Sequence, residues 1–284
     1  MVSDADMTHD LLTAATRHAL DYLESVPDRA VPARASADEL ASAFAVPLPQ
    51  APTDPRDVLE QLVNAAEPGL ATLGSPRFFG FVIGGSYPVG TATDWLATAW
   101  DQNVGLRDVT PAHSAAREAV EGWVLDLLGL PAQATVGTVT GGMMANFTGL
   151  AAGRHAVLAR VGWDVEARGL QGAPRVRVLV GEERHSTIDL ALRYLGLGAP
   201  ETIPADDQGR IRPDALASAL TESSGETPPT LLALQAGNIH SGAFDDFAAT
   251  IPLAHEHGAW VHIDGAFGLW AAAAPTTRHL TEGY

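Results

Sequence analysis

Apolar positions recur at helical spacing over Asp10–Tyr22, where Leu11, Leu12, Ala15 and Ala19 share one side, and this predicts a helix. A second helix opens at Asp54-Pro55. Proline near a first turn forfeits only an amide that has no intrahelical acceptor, and Val58, Leu59, Leu62 and Val63 repeat behind it. Pro-rich connectors such as Ala45-Val46-Pro47-Leu48-Pro49 lie between the two. The Gly/aromatic passage Ser75–Phe81 interrupts the rhythm and predicts an ordered loop. Ala115–Leu130 then predicts an amphipathic helix with Ala116, Val120, Trp123, Val124, Leu127 and Leu128 on one face, stopped by Gly129 and Pro131.

Beyond Pro131 the period changes to strand, turn, helix. Val176–Val180 predicts a β-branched strand, followed by a helix over Ser186–Tyr194. Thr230–Leu234 predicts another strand, followed by a helix from about Asp246 to His257, and Trp260–Ile263 predicts a third. Such alternation predicts an α/β fold, a mostly parallel sheet with helices on both faces. The expected organisation is a helical segment with its loop over residues 1–90, then one large domain over residues 91–284.

Hydrophobic residues make up 46% of the 284 and charged residues 18%, as in an ordinary globular protein. The formal charge of −17 argues against a nucleic-acid partner, since a phosphate backbone demands a basic surface. Any phosphate ligand must therefore be attracted locally. With no cysteine, disulfides and thiolate metal sites are excluded. The polar, acidic start Met1–Asp10 has no signal-peptide pattern, and no run of about 18 apolar residues could span a membrane, so the expected location is cytoplasmic. All 17 basic residues are arginine, and there is no lysine.

Three features carry candidate chemistry. In Thr140-Gly141-Gly142-Met143-Met144-Ala145-Asn146, two glycines precede an Ala-rich stretch that continues as a helix, and free amides at a helix start suit a phosphate. A plain turn before a core helix accounts for the same residues. His185 follows the first strand, where open α/β sheets bind ligands. Its ring would stack on a planar group or simply bond a carbonyl, with Ser186 as the helix cap. Asp264 ends the third strand and projects toward the same edge, although strand-end aspartates also serve as turn caps.

Taken in order, these segments resemble the group II pyridoxal-phosphate (PLP) amino-acid decarboxylases, the aromatic-amino-acid and glutamate decarboxylase family, over about Ser75–Tyr284. The resemblance rests on six segments: Ser75-Pro76-Arg77-Phe78-Phe79-Gly80; Pro111-Ala112-His113-Ser114 running to Leu128-Gly129-Leu130-Pro131; Val139–Asn146; Glu183-Arg184-His185-Ser186-Thr187; Gly237-Asn238 with Gly242-Ala243-Phe244-Asp245; and Trp260-Val261-His262-Ile263-Asp264-Gly265-Ala266. It implies the large domain of the PLP-dependent transferase fold type I. It also implies that Gly141, Gly142 and Met143 bind the phosphate, chiefly by backbone amides, and that His185 stacks on the pyridine ring. Asp264 would pair with the ring nitrogen, Ala266 would pack on the other ring face, and Asn238 would contact the cofactor. An acid–pyridinium pair at 4 Å is worth about 4 kcal/mol at an effective dielectric near 20.

Met143 stands where the family has a hydroxyl residue, a bond that Thr140 would have to replace. The family's His-Lys pair and small C-terminal domain fall past Tyr284. The implied function is an amino-acid decarboxylase releasing CO2 and an amine, a homodimer when intact, inactive as this lysine-free chain. Phe78, Phe79 and Phe81 suit either an aromatic substrate or core packing. Two other readings remain: a non-catalytic chain that serves as a binding or dimerisation module, and a metal protein using His255, His257, His262 and Asp264.

Overall fold

The computed structural model describes residues 4–221 and 228–284. The chain divides into two compact units, Met1–Gln102 and Asn103–Tyr284.

The first unit is helical: α1 (Asp4–Ser25), α2 (Ala37–Phe44), α3 (Pro55–Ala66) and α4 (Pro88–Trp100). Ser36 and Glu39 close a capping box on α2, and the Asp54 carboxylate accepts the Arg56 amide at 2.8 Å to start α3. The Ser75–Phe81 passage is a loop, as its pattern predicts. Arg77 anchors it by donating to the carbonyls of Pro27 (2.8 Å) and Arg29 (2.6 Å). Phe79 and Phe81 are 90% and 84% exposed, so neither is core packing.

The second unit carries α5 (Pro111–Leu128), α6 (Gly142–Arg160), α7 (Val165–Arg168), β1 (Arg177–Gly181), α8 (Ser186–Tyr194), β2 (Glu201–Ile203), α9 (Pro213–Thr221), β3 (Thr230–Gln235), α10 (Phe247–Glu256) and β4 (Trp260–Asp264). The strands form one parallel sheet in the order β2-β1-β3-β4, with Leu179 paired to Leu232 and Leu232 to Val261. Strand residues alternate between two cores. Val178, Val180, Leu231 and Ala233 pack with Leu150 and Val157 of α6 and Ile188 and Leu192 of α8. Leu179, Leu232 and Leu234 pack with Leu216 of α9 and Phe247 and Ala254 of α10. Each fully buried Leu or Ile contributes about 1.5–3 kcal/mol, so the sheet is held from both sides.

The apolar face predicted for α5 is only partly buried: Leu128 is buried and Val124 half-buried, but the rest is exposed. Val120, Trp123 and Leu127 are 47%, 70% and 47% exposed, while Ser114, Leu125 and Leu128 face inward. Gly129 ends the helix in the left-handed conformation (φ 70°), as a glycine there permits. Among the described residues no helix is long and apolar enough to cross a membrane.

Candidate cofactor-binding site

The strand order reverses between β1 and β3, and the carboxyl ends of β1, β3 and β4 open on one edge, the usual ligand crevice of such sheets. His185 and Asp264 both arrive there. With Gly181, Ile188 and Gln235 they line one small cavity.

His185, not Ser186, is the N-cap of α8. Its Nδ1 accepts the Thr187 amide at 3.2 Å, doing what an asparagine side chain does at a helix start. That bond needs the Nδ1 lone pair, so the ring proton sits on Nε2, and the ring itself is exposed.

Asp264 is the last residue of β4. Its Oδ1 accepts the Ala266 amide at 3.2 Å, and its Oδ2 accepts Nδ2 of Asn146 at 2.9 Å. Asn146 lies one turn into α6 and is buried. The same Nδ2 donates to Thr187 Oγ1 at 3.1 Å, and Thr187 Oγ1 lies 2.8 Å from His185 Nδ1. Asn146 Oδ1 in turn lies 2.8 Å from Nε2 of His262. A carboxylate only accepts, so the Asn146 amino group must face Asp264. Its carbonyl then faces His262, whose Nε2 must carry the proton. Burial lowers the His262 pKa, against a smaller opposing pull from the Asp264 charge, so the ring is neutral at pH 7.

Gly141 and Gly142 begin α6. No side chain caps this end, and the first backbone bond runs from the Ala145 amide to the Gly141 carbonyl at 3.0 Å, leaving earlier amides free of intrahelical acceptors. A Cβ built on either glycine meets nothing within 4 Å. Met143 follows in the first turn, partly buried. Asn238 also reaches the strand ends, but its carboxamide is committed to the backbone. Oδ1 accepts the His240 (2.8 Å) and Ser241 (3.2 Å) amides, and Nδ2 donates to the Glu183 carbonyl at 3.4 Å. Of the rival metal set, His262 is engaged by Asn146 and His257 Nδ1 lies 3.1 Å from the Leu253 carbonyl. Among the described residues no group of three or more His, Cys, Asp or Glu is placed to hold a metal ion.

Residues 38–284 match the pyridoxal-dependent decarboxylase conserved domain. The chain belongs to this family. Aromatic-L-amino-acid decarboxylase of Bacillus atrophaeus is 26% identical over 93% of this chain and 53% of its own length. The apo crystal structure of mouse CSAD superposes with a TM-score of 0.88 at 23% identity, covering 99% of this chain and 59% of the mouse chain. Oryza sativa TDC crystallised with PLP gives a TM-score of 0.86 at 24% identity, covering 100% and 62%. The chain thus spans about half the length of the curated relatives it matches.

As a pyridoxal-dependent decarboxylase domain, the chain has residues that fit the coenzyme. The open glycine start of α6 leaves room for a phosphate, the exposed His185 ring offers a stacking face, and Asp264 stands at the end of β4 on the same edge of the sheet. Reasoning from the sequence missed Asn146, Thr187 and His262 as members of this site. The signal for Asn146 was present: a carboxamide on the face of α6 that otherwise carries Gly149, Leu150 and Gly153 has to find polar partners inside.

Proposed function

We propose that this chain supplies the coenzyme cradle of a PLP-dependent amino-acid decarboxylase, an enzyme that takes an amino acid and releases CO2 and an amine, and that the intact protein is a homodimer. One observation carries the reading: His185 after β1 and Asp264 at the end of β4 meet on one edge of the sheet, with the end of β3 between them, joined through Thr187 and Asn146 to a helix whose glycine start is open. In this reading the amides of Gly141, Gly142 and Met143 hold the phosphate, His185 covers one ring face, Ala266 packs on the other, and Asp264 pairs with the ring nitrogen. Bound there, the coenzyme is the electron sink for loss of the substrate carboxylate. The protein's own part is to fix orientation and place charge. Asn238 supports the site by holding the turn beside it.

The 284 residues contain no lysine, so the covalent anchor implied by the family is not among them. The alternative reading is a non-catalytic binding or dimerisation module. Titration of the chain with PLP separates the readings. The cradle predicts saturable quenching of tryptophan fluorescence without a lysine-adduct band at visible wavelengths, and negligible amine release from amino acids. Absence of saturable binding would leave only the non-catalytic module, and amine release above background would refute the expected inactivity of this chain.

A further inference from the structure

We infer that His262 and Asn146 are positioning residues that aim the Asp264 carboxylate, a role that rests on the reading of this site as a PLP cradle. Three observations lead to it. First, the Asn146 carboxamide is buried and has a partner on each side: His262 Nε2 on its oxygen at 2.8 Å, and Asp264 Oδ2 (2.9 Å) and Thr187 Oγ1 (3.1 Å) on its nitrogen. Second, the donor directions run one way. The His262 Nε2–H enters the carboxamide oxygen, and the amino group leaves toward Asp264 and Thr187, whose hydroxyl points on to His185 Nδ1 at 2.8 Å. Third, room for the His262 ring is made by Gly149 on α6, since a Cβ there would lie 2.7 Å from His262 Nδ1.

A lone carboxamide can turn over and present its oxygen to a carboxylate, which repels it. A neutral imidazole with hydrogen on Nε2 makes that flip unfavourable, because carbonyl and N–H then no longer face each other. His262 thus locks Asn146, and Asn146 holds one carboxylate oxygen, as the Ala266 amide holds the other. The acid is fixed in direction before any ligand arrives, which is the preorganisation that electrostatic stabilisation of a ring charge requires. Thr187 ties the same carboxamide to the cap of α8, so the stacking ring and the acid share one buried anchor.

The test uses two ligands and the whole 284-residue chain. Pyridoxamine 5′-phosphate carries the ring nitrogen; its carbocyclic counterpart has C–H in that place and gives Asp264 nothing to pair with. Kd for each is measured by fluorescence quenching on the wild type, N146L, H262L and H262Q, with circular dichroism to establish folding. The wild type is expected to prefer the nitrogen ligand. N146L and H262L should lose about tenfold on that ligand and less than about twofold on the carbocycle, a difference typical of one hydrogen bond to a charged group. H262Q keeps an N–H donor near the Nε2 position and should stay within about twofold of wild type on both. Should N146L fail to fold, the H262L and H262Q pair decides alone. Equal losses on both ligands, or none, would overturn the positioning role and leave the cradle intact. Failure of the wild type to bind either ligand would instead bring down the cradle reading itself, and this inference with it.

Discussion

The Nδ1 lone pair of His185 is taken up by the Thr187 amide at 3.2 Å, so the crevice meets the ring face and the Nε2–H edge. Capping and stacking are thereby assigned to different parts of one side chain, and substitutions can separate them. H185A removes both, and the lost cap is expected to lower stability by about 1 kcal/mol. H185N restores a cap and most of that stability, yet offers no aromatic face, so affinity for pyridoxamine phosphate should stay low. Urea midpoints and ligand titrations on the same two variants check this, and recovery of affinity in H185N would count against stacking. The sequence pointed to His185 and Asp264 because each follows an apolar strand, a position that periodicity alone locates. It pointed to Ser186 as the cap because hydroxyl caps are common, and no pattern distinguishes an imidazole cap from a free ring. Asn146, Thr187 and His262 meet only when α6, α8 and β4 are packed, so their link has no local signature.

At the scale of elements, α6 approaches β4 closely because two of its residues have no side chain to intervene. A Cβ on Gly153 would sit 2.6 Å from the Trp260 ring and 2.9 Å from a methyl of the fully buried Leu231. Alanine at an exposed helix position gains up to about 1 kcal/mol over glycine, whereas overpacking a filled core loses about 1–3 kcal/mol. G153A is therefore expected to destabilise by about 1–2 kcal/mol net. G122A, in α5 where an added Cβ meets nothing within 4 Å, is expected to stabilise by up to about 1 kcal/mol. Thermal melts of the two variants should move in opposite directions, and a stabilised G153A would show that the contact is loose. The same contrast explains what the sequence left unread. The runs that became β1, β3 and β4 face both cores, while α8 packs into one and α10 into the other, so period and packing agree. β2 is three residues with two of them exposed, too short to carry a period. On α5 the hydrophobic repeat correctly predicted a helix, but of its apolar stripe Leu128 is buried while Val120, Trp123 and Leu127 are exposed, because periodicity locates a stripe without saying what meets it.

For the molecule as a whole, the formal charge of −17 sets the field in which a phosphate ligand must arrive. The cradle answers that field with helix-start amides, which act within hydrogen-bond range, and the arginine beside His185 is already paired: Arg184 Nη2 lies 2.9 Å from Asp189 Oδ1. Repulsion from the whole protein acts at long range and is screened by salt, whereas the amide bonds form at contact and are screened little. The Debye length shrinks from about 30 Å at 0.01 M salt to about 8 Å at 0.15 M. The association rate of pyridoxamine phosphate should therefore rise several-fold over that range, opposite to the fall seen when a basic patch steers an anion. The dissociation rate should change much less, because it reflects contacts already made. Stopped-flow fluorescence at a series of sodium chloride concentrations measures both rates. A rate of association that falls with added salt would mean that a net positive region guides the phosphate, and that the amides of Gly141 and Gly142 are not its main attraction.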